Sequence, residues 1–245
     1  MKKNLMHVGE LKKGTSVSQS FIRAGREASM LRALTKKAEG IFPPAAVATI
    51  WRMVISASLS VEQNISIYTY AGSDKNCFWL AREYFGTFLE MYTEDNVENL
   101  IAKVSKNPAA VGVLPLMDNS KKPWWVRPQG EANNVYVFAR IPFIFEDSSL
   151  VPPVLAIANT SPEPTDEDIS LFSVTTNSEK KKLQEIFKKN GLTANILICS
   201  GNNNFLIEVN RFVPIGDKVV KDIERALDEA SIVRLMGSYA VPIKL

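Results

Sequence analysis

Apolar positions in the stretch FPPAAVATIWRMVISASLSVEQ recur every three or four residues: Val47, Ile50, Trp51, Val54, Ile55 and Leu59. That spacing predicts one helix over Phe42 to Gln63 with those residues turned inward. Continuing the stripe places Ser58 and Glu62 on the same inward face. A carboxylate is rarely buried without a partner or a purpose, so this helix is expected to wall a polar pocket. An upstream helical segment carries the stripe Met30, Leu31, Leu34 and Ala38; extended backwards, it reaches Glu27, Arg26 and Arg23. In the first segment Leu5, Val8 and Lys12 share a face. Gly40 with Pro43-Pro44 breaks the second helix from the third.

From Ile65 the period changes to two. Ile65 to Tyr70 alternates like a strand, Asn76 to Phe85 reads as a helix closed by Gly86, and Phe88 to Tyr92 as a second strand. Asp95 with Glu98 predicts a helix cap, the helix running to Lys106, and Ala110 to Leu114 is a third strand. This β-α-β-α-β order implies a parallel sheet covered by helices. Met117 to Asn134 is polar and contains Trp124-Trp125, read as an anchor packing that loop onto the sheet. Strands resume at Val135 to Arg140 and Val154 to Ala158. Asn159 to Thr165 reads as a linker. Beyond it, strand Ser170 to Thr175, helix Glu179 to Asn190, strands Ala194 to Cys199 and Phe205 to Phe212, helix Lys218 to Ala230 and strand Ile232 to Met236 follow the β-α-β-β-α-β ferredoxin-like plan.

Composition narrows the classes. At 245 residues the chain has room for two or three small domains, and a net charge of +3 with scattered basic residues argues against nucleic acid or membrane as a partner. Lys180-Lys181-Lys182 reads as a solvated helix face. Cys77 and Cys199 are distant, in no metal-like spacing, and read as plain buried thiols; a reducing cytoplasm is expected. The single histidine, His7, leaves no histidine pair for catalysis or metal binding, and neither metal nor cofactor is expected. No apolar run of about eighteen residues is apparent, so no transmembrane helix is expected.

The three helical segments all turn charges inward: Lys12; then Arg23, Arg26 and Glu27; then Ser58 with Glu62. The set has excess positive charge, as a site for a small dianion should. The residues that carry it also form a pattern. Val8-Gly9-Glu10-Leu11-Lys12, Arg26-Glu27 with Met30-Leu31, Phe42-Pro43-Pro44, Ile50-Trp51-Arg52, Ile55-Ser56-Ala57-Ser58-Leu59 and Glu62-Gln63 resemble the all-helical chorismate mutase family, in the form fused to prephenate dehydratase. The resemblance implies rearrangement of chorismate, a dicarboxylate enol ether, to prephenate by positioning and electrostatics alone. It places Lys12 on the ether oxygen and a carboxylate, Glu62 across that oxygen, Arg26 on a carboxylate, Glu27 on the ring hydroxyl and Ser58 on a carboxylate. Arg23 stands where some members carry an aspartate for that hydroxyl. Glu62 must be protonated to donate, so mutase activity is expected to fall as pH rises past neutrality and Glu62→Gln to flatten the profile. Two arginines of the family's first helix belong upstream of Met1, so that helix is expected to be shortened. Each absent contact would cost about 2–4 kcal/mol of transition-state binding.

Leu80-Ala81-Arg82-Glu83-Tyr84-Phe85-Gly86, and Gly112-Val113-Leu114-Pro115-Leu116 followed by Asp118-Asn119-Ser120, resemble the first lobe of a prephenate dehydratase, a periplasmic-binding-protein-like fold. The dehydratase signature Thr-Arg-Phe is replaced by Val151-Pro152-Pro153-Val154-Leu155-Ala156, which implies a degenerate domain. Asp166 to Val174 and Leu235 to Tyr239 resemble the opening and closing strands of an ACT domain, without its phenylalanine-binding signatures.

The fold class expected is therefore multi-domain α plus α/β. It comprises a truncated helical chorismate mutase domain (1–63), a degenerate dehydratase-like α/β domain (64–160) and a ferredoxin-like ACT domain (166–245). The function expected is a cytoplasmic chorismate mutase of aromatic amino acid biosynthesis acting as a homodimer, with an amino-acid effector conceivable at the ACT-like domain. The alternatives are a bifunctional mutase–dehydratase and a non-catalytic sensing or assembly protein derived from such an enzyme.

Overall fold

The computed structural model describes residues 23–38, 42–72, 76–116, 123–126, 134–145, 152–201 and 203–245. Lys12, His7 and the rest of the first helical segment lie outside them. Two helices open the described chain, α1 (Ala24–Lys37) and α2 (Pro44–Glu62). Pro44 stands in the first turn of α2, where its missing N–H costs nothing. The two helices form a hairpin, and its buried lines are mostly small residues around Leu31 and Arg52: Gly25, Ala28, Leu31 and Thr35 on α1, and Ala48, Arg52 and Ser56 on α2.

This corrects the inward stripe expected for α2. Ile50 is 55% exposed and Val54 45%, and the buried line lies on another face of the helix. Close packing decides it. Ser56 meets the backbone at Gly86, where an added Cβ would approach the Ser56 Cβ to 2.6 Å, and a larger inward residue would not fit. Trp51, Ile55 and Leu59 are half-buried, and Trp51 donates its indole N–H to the Met30 sulfur. On α1, Met30 and Leu34 are likewise only half-buried. By length and composition α2 also reaches the span of a membrane-crossing helix, which the sequence reading did not find. Its centre, however, holds Arg52, turned into the protein.

Among the described residues, the hairpin lies on a nine-stranded sheet of order β2-β1-β3-β6-β4-β10-β7-β9-β8. Strands β1 (Ser66–Tyr70), β2 (Glu90–Glu94) and β3 (Ala110–Pro115) are parallel, linked through α3 (Asn76–Phe85) and α4 (Val97–Lys106). The cap of α4 is Asn96, whose side chain accepts from the Asn99 N–H, and not Asp95. Strand β6 (Val154–Ala158) runs antiparallel between β3 and β4 (Tyr136–Ile141). The remaining strands are β7 (Asp168–Thr175), β8 (Ala194–Ser200), β9 (Asn204–Val209) and β10 (Ile232–Ala240), with α5 (Lys180–Lys189) and α6 (Lys218–Ala226). Their antiparallel order β10-β7-β9-β8 is the ferredoxin-like plan. A small parallel pair, β5 (Ile144–Phe145) with β11 (Ile243–Lys244), lies apart.

The two α/β regions share this one sheet. Strand β10 joins β4 at Gly237 opposite Val137. The expected linker is tied down as well: Thr165 donates through its N–H and its hydroxyl to Asp168, at 2.7 Å each. Three apolar clusters result. One holds α1, α2 and α3 to the sheet, including Leu31, Tyr84, Phe138 and Phe143. A second packs α4 and the Trp124-Trp125 pair on the opposite face. The third seats α5 and α6 on β7 and β9. Both tryptophans are buried, and Trp124 donates to the Pro115 carbonyl at 2.8 Å, so their rings anchor the loop. Cys77 is buried, but Cys199 is exposed, contrary to expectation.

Candidate functional site

The polar centre of the hairpin is Arg52. From mid-α2 its guanidinium reaches Glu27 of α1, Nη1 to Oε2 at 3.0 Å. It lies flat over Tyr84 of α3, with Cζ 3.7 Å from the ring centroid, and 5.7 Å from the centroid of Phe143. One buried group therefore joins two helices of the hairpin to the α/β layer. The Arg52 side chain is 8% exposed and that of Glu27 16%. Burial pushes the Glu27 carboxyl above its ordinary range, with Arg52 opposing that rise. Burial also raises the Tyr84 phenol, so it is neutral at physiological pH. Among the described residues, buried Arg52 Nη2 has no hydrogen-bond partner. Nearby, Arg32 of α1 donates through Nη2 to the Val241 carbonyl at 2.6 Å and to that of Glu167 at 3.1 Å. That contact fastens the hairpin to the carboxyl-terminal region.

Two recesses meet at Arg52. The smaller is lined by Glu27, Ser56, Leu59, Tyr84 and Phe138 among others. The larger, about 500 Å³ and open to solvent, lies between α1, α2, α3 and the end of β4.

The expected site residues divide. Lys12 is outside the described residues. Arg26 is exposed, so the adjacent pair Arg26-Glu27 splits between two faces of α1; the inward placement expected for Arg26 is corrected. A helix turns about 100° per residue, so adjacent side chains leave it in different directions. Arg23 is half-buried ahead of α1, and Ser58 and Glu62 are half-buried near the end of α2. Glu27 faces inward as expected, but its partner is Arg52. Neither Arg52 nor Tyr84 was assigned a role from sequence. The signal for Arg52 was present: Ala48 and Ser56, one turn either side of it, are small, and small residues let a helix approach its neighbour.

A second polar cluster spans β4, β10 and β9. Tyr239 hydrogen-bonds the Glu208 carboxylate, and Arg140 lies 3.5 Å from the same oxygen. Burial and that carboxylate raise the Tyr239 phenol well above its ordinary value. No group of three or more potential metal ligands occurs among the described residues.

Comparison with known proteins defines the amino-terminal part. Residues 5–63 match the family model described as chorismate mutase type II. The match covers this stretch alone, and residues 64–245 lie outside it. The resemblance seen in the sequence is borne out over that stretch. No curated protein matches the chain. Solved structures to which the chain is similar include the prephenate dehydratase of Streptococcus mutans, 15% identical, covering 74% of this chain and 100% of that one, with a TM-score of 0.44. The prephenate dehydratase of Arthrobacter aurescens in complex with L-Phe is 10% identical, covering 72% and 90%, at 0.47. GqqA, described as a novel type of quorum quenching acylase, is 11% identical, covering 71% and 94%, also at 0.47.

Proposed function

We propose that the chain is a chorismate mutase, using its amino-terminal domain to turn chorismate into prephenate. One observation carries this reading: the match over residues 5–63 contains Lys12, Arg23, Arg26, Glu27, Ser58 and Glu62. In this reading Lys12 and Glu62 stabilise charge developing on the ether oxygen, Arg26 and Ser58 hold carboxylates, and Glu27 accepts the ring hydroxyl. Arg23 is the remaining substrate-binding residue in this reading. The reaction needs no cofactor, because breaking and forming bonds within one folded substrate requires only positioning and a complementary field.

The α/β region is proposed to be dehydratase-derived and without dehydratase activity. Strand β6 stands where the Thr-Arg-Phe signature belongs, and its residues Val154 to Ala158 are apolar and buried. The ferredoxin-like region is proposed to be ACT-like and to pair subunits of a cytoplasmic homodimer, an amino-acid effector being a secondary role. A second reading, a non-catalytic assembly or sensing protein, is favoured by one contact: Arg52 already occupies Glu27. Incubation of the purified chain with chorismate separates them. Prephenate alone, abolished by Lys12→Ala, supports the mutase; phenylpyruvate marks a bifunctional enzyme; no turnover supports the non-catalytic reading.

A further inference from the structure

The outward side of α2 is built like the seam of a helix pair. Val47, Ile50, Val54, Ala57 and Val61 recur at alternating steps of three and four residues. A helix turns about 100° per residue, so these side chains form one stripe, opposite the buried line of Ala48, Arg52 and Ser56. That alternation is the heptad repeat by which one helix meets another, with valines at one seam position and Ile50 and Ala57 at the other. The described residues leave the stripe open: Ile50, Val54 and Val61 are exposed, and so is Met53 beside them. Phe88, whose N–H donates to the Ser56 Oγ at 3.4 Å, lies next to the helix and is 55% exposed. Between Phe42 and Val61 the one charged residue is Arg52, which is turned into the protein against Glu27. Solvent-facing helix surfaces ordinarily carry charge, and one that is apolar on every side belongs against something. We infer that the outward face of α2 is where two copies of this chain meet, α2 against α2, about a two-fold axis near Val54.

Two features choose a second copy as the occupant. A two-fold contact sets a surface against itself, so any charge on it would meet its like; this face has none to repel. The stripe also mixes sizes, with Ala46 and Ala57 among Ile50, Met53 and Val54, which lets the larger side chains of one helix seat over the alanines of the other. A lipid surface is fitted by an apolar face edged with lysine and arginine. Helix α2 has the length and composition of a membrane span, but it contains no lysine, and its arginine is committed to Glu27. The size is adequate. The 19 residues of α2 extend about 28 Å. Covering that face together with Phe42 and Phe88 removes roughly 600 Å² per copy, about 1,200 Å² in all, the lower edge of the range for specific interfaces. The inference is independent of the mutase reading, since no residue assigned to substrate lies on the seam.

Disulfide trapping of the full chain tests it. In a Cys199→Ser background, which keeps only the buried thiol of Cys77, Val54→Cys places a thiol at the middle of the seam. From that central position it meets its own copy whether the two helices run parallel or antiparallel. Glu98→Cys, at an exposed position of α4 across the sheet, is the control for chance collision. With copper–phenanthroline as oxidant and micromolar protein, the Val54→Cys chain should form covalent dimers at least tenfold faster than the control. Adding Ile50→Glu sets carboxylates against each other on the seam and should return the rate to that of the control. Ile50 is exposed in the single copy, so its unfolding midpoint in dilute solution should not move; should it fall, Val61→Glu takes its place at the last turn of the seam. Because the readout is the contact and not the number of copies, pairing through the ferredoxin-like region neither imitates nor conceals it. Equal rates at the two cysteine positions, or a rate insensitive to the added carboxylate, overturn the proposal. So does flotation of the chain with phosphatidylglycerol vesicles that Ile50→Glu abolishes while no covalent dimer forms, since lipid is then the occupant.

Discussion

Replacing Gly237 by alanine should open the sheet where its two halves join. Gly237 sits at the bulge in β10 with φ +137°, a region that residues with a side chain rarely adopt. Its partner across the junction is Val137 of β4. A Cβ built on Gly237 would lie 2.1 Å from the Val137 carbonyl oxygen and 2.6 Å from its nitrogen. Both are backbone atoms, so no rotamer change can relieve the clash; the strands must separate by about 1 Å or more to reach ordinary contact. The backbone conformation costs about 1–3 kcal/mol. Weakened β4–β10 hydrogen bonding adds about 1 kcal/mol per bond.

The total is roughly 3–5 kcal/mol, which for a chain of this length corresponds to a fall in Tm of roughly 6–10 °C. Differential scanning calorimetry measures it. Gly191→Ala is the control: its φ is +74°, but nothing lies within 4 Å of the added carbon, so only the local backbone cost of about 1–2 kcal/mol applies. A Gly237→Ala protein melting within about 3 °C of the parent, or no lower than the control, would refute the argument that this junction depends on a missing side chain.

Three further outcomes follow from the geometry. Burial raises the Glu27 carboxyl, so the folded chain holds a proton that the unfolded chain has released; stability should fall as pH rises from the ordinary glutamate range through the raised value, and urea midpoints of Glu27→Gln should lack that slope. The reverse applies to Asp228, whose carboxyl is held below its ordinary range by hydrogen bonds from Thr176 and Ser231: its contribution is present above the unfolded value and lost as pH falls, and Asp228→Asn should flatten the acid limb of the same profile. Ile50→Lys should change stability by less than about 0.5 kcal/mol, because Ile50 is exposed; a loss of about 2 kcal/mol or more in chemical denaturation would restore the inward stripe expected from its spacing.

Much of the layout was legible because strands and helices here obey simple periods. Helix α3 and strand β6 have the bounds that pattern gives them, and the ferredoxin-like order at the carboxyl end follows from alternation and turn residues. The failures have one cause. Periodicity reports how apolar a helix face is, and burial depends on what approaches that face. On α2 only part of the apolar stripe packs: Trp51, Ile55 and Leu59 are half-buried while Ile50 and Val54 are exposed, because the fully buried line must admit Gly86 and Tyr84 closely and so carries Ala48, Arg52 and Ser56. The joining of the two sheets was not legible either. It depends on a contact between Val137 and Gly237, a hundred residues apart in the chain, and a glycine's role in such an approach leaves no periodic trace. Among the expected site residues, the neighbours Arg26 and Glu27 were placed together although helix geometry separates them.

The Arg52–Glu27 pair bears on both readings of the hairpin. A buried ion pair is a weak source of net stability, since desolvating two charges offsets most of their attraction. It is an effective selector of geometry. Rotating α2 by one residue would bring Trp51 or Met53 to the position of Arg52, break the pair and drive a larger side chain than Ser56 or Ala48 against the neighbouring layer. The pair therefore fixes the roll of α2, and with it the positions of Ser58 and Glu62. It also constrains any substrate contact at Glu27. Arg52 Nη1 holds Oε2, so a substrate hydroxyl would be received by Oε1 of a carboxylate already oriented by the arginine. In the mutase reading Arg52 is then a positioning residue, and its conservative replacement by lysine should change the KM for chorismate more than kcat. In the assembly reading the same replacement alters stability alone. The split between those two effects shows which task the charge inside this hairpin performs.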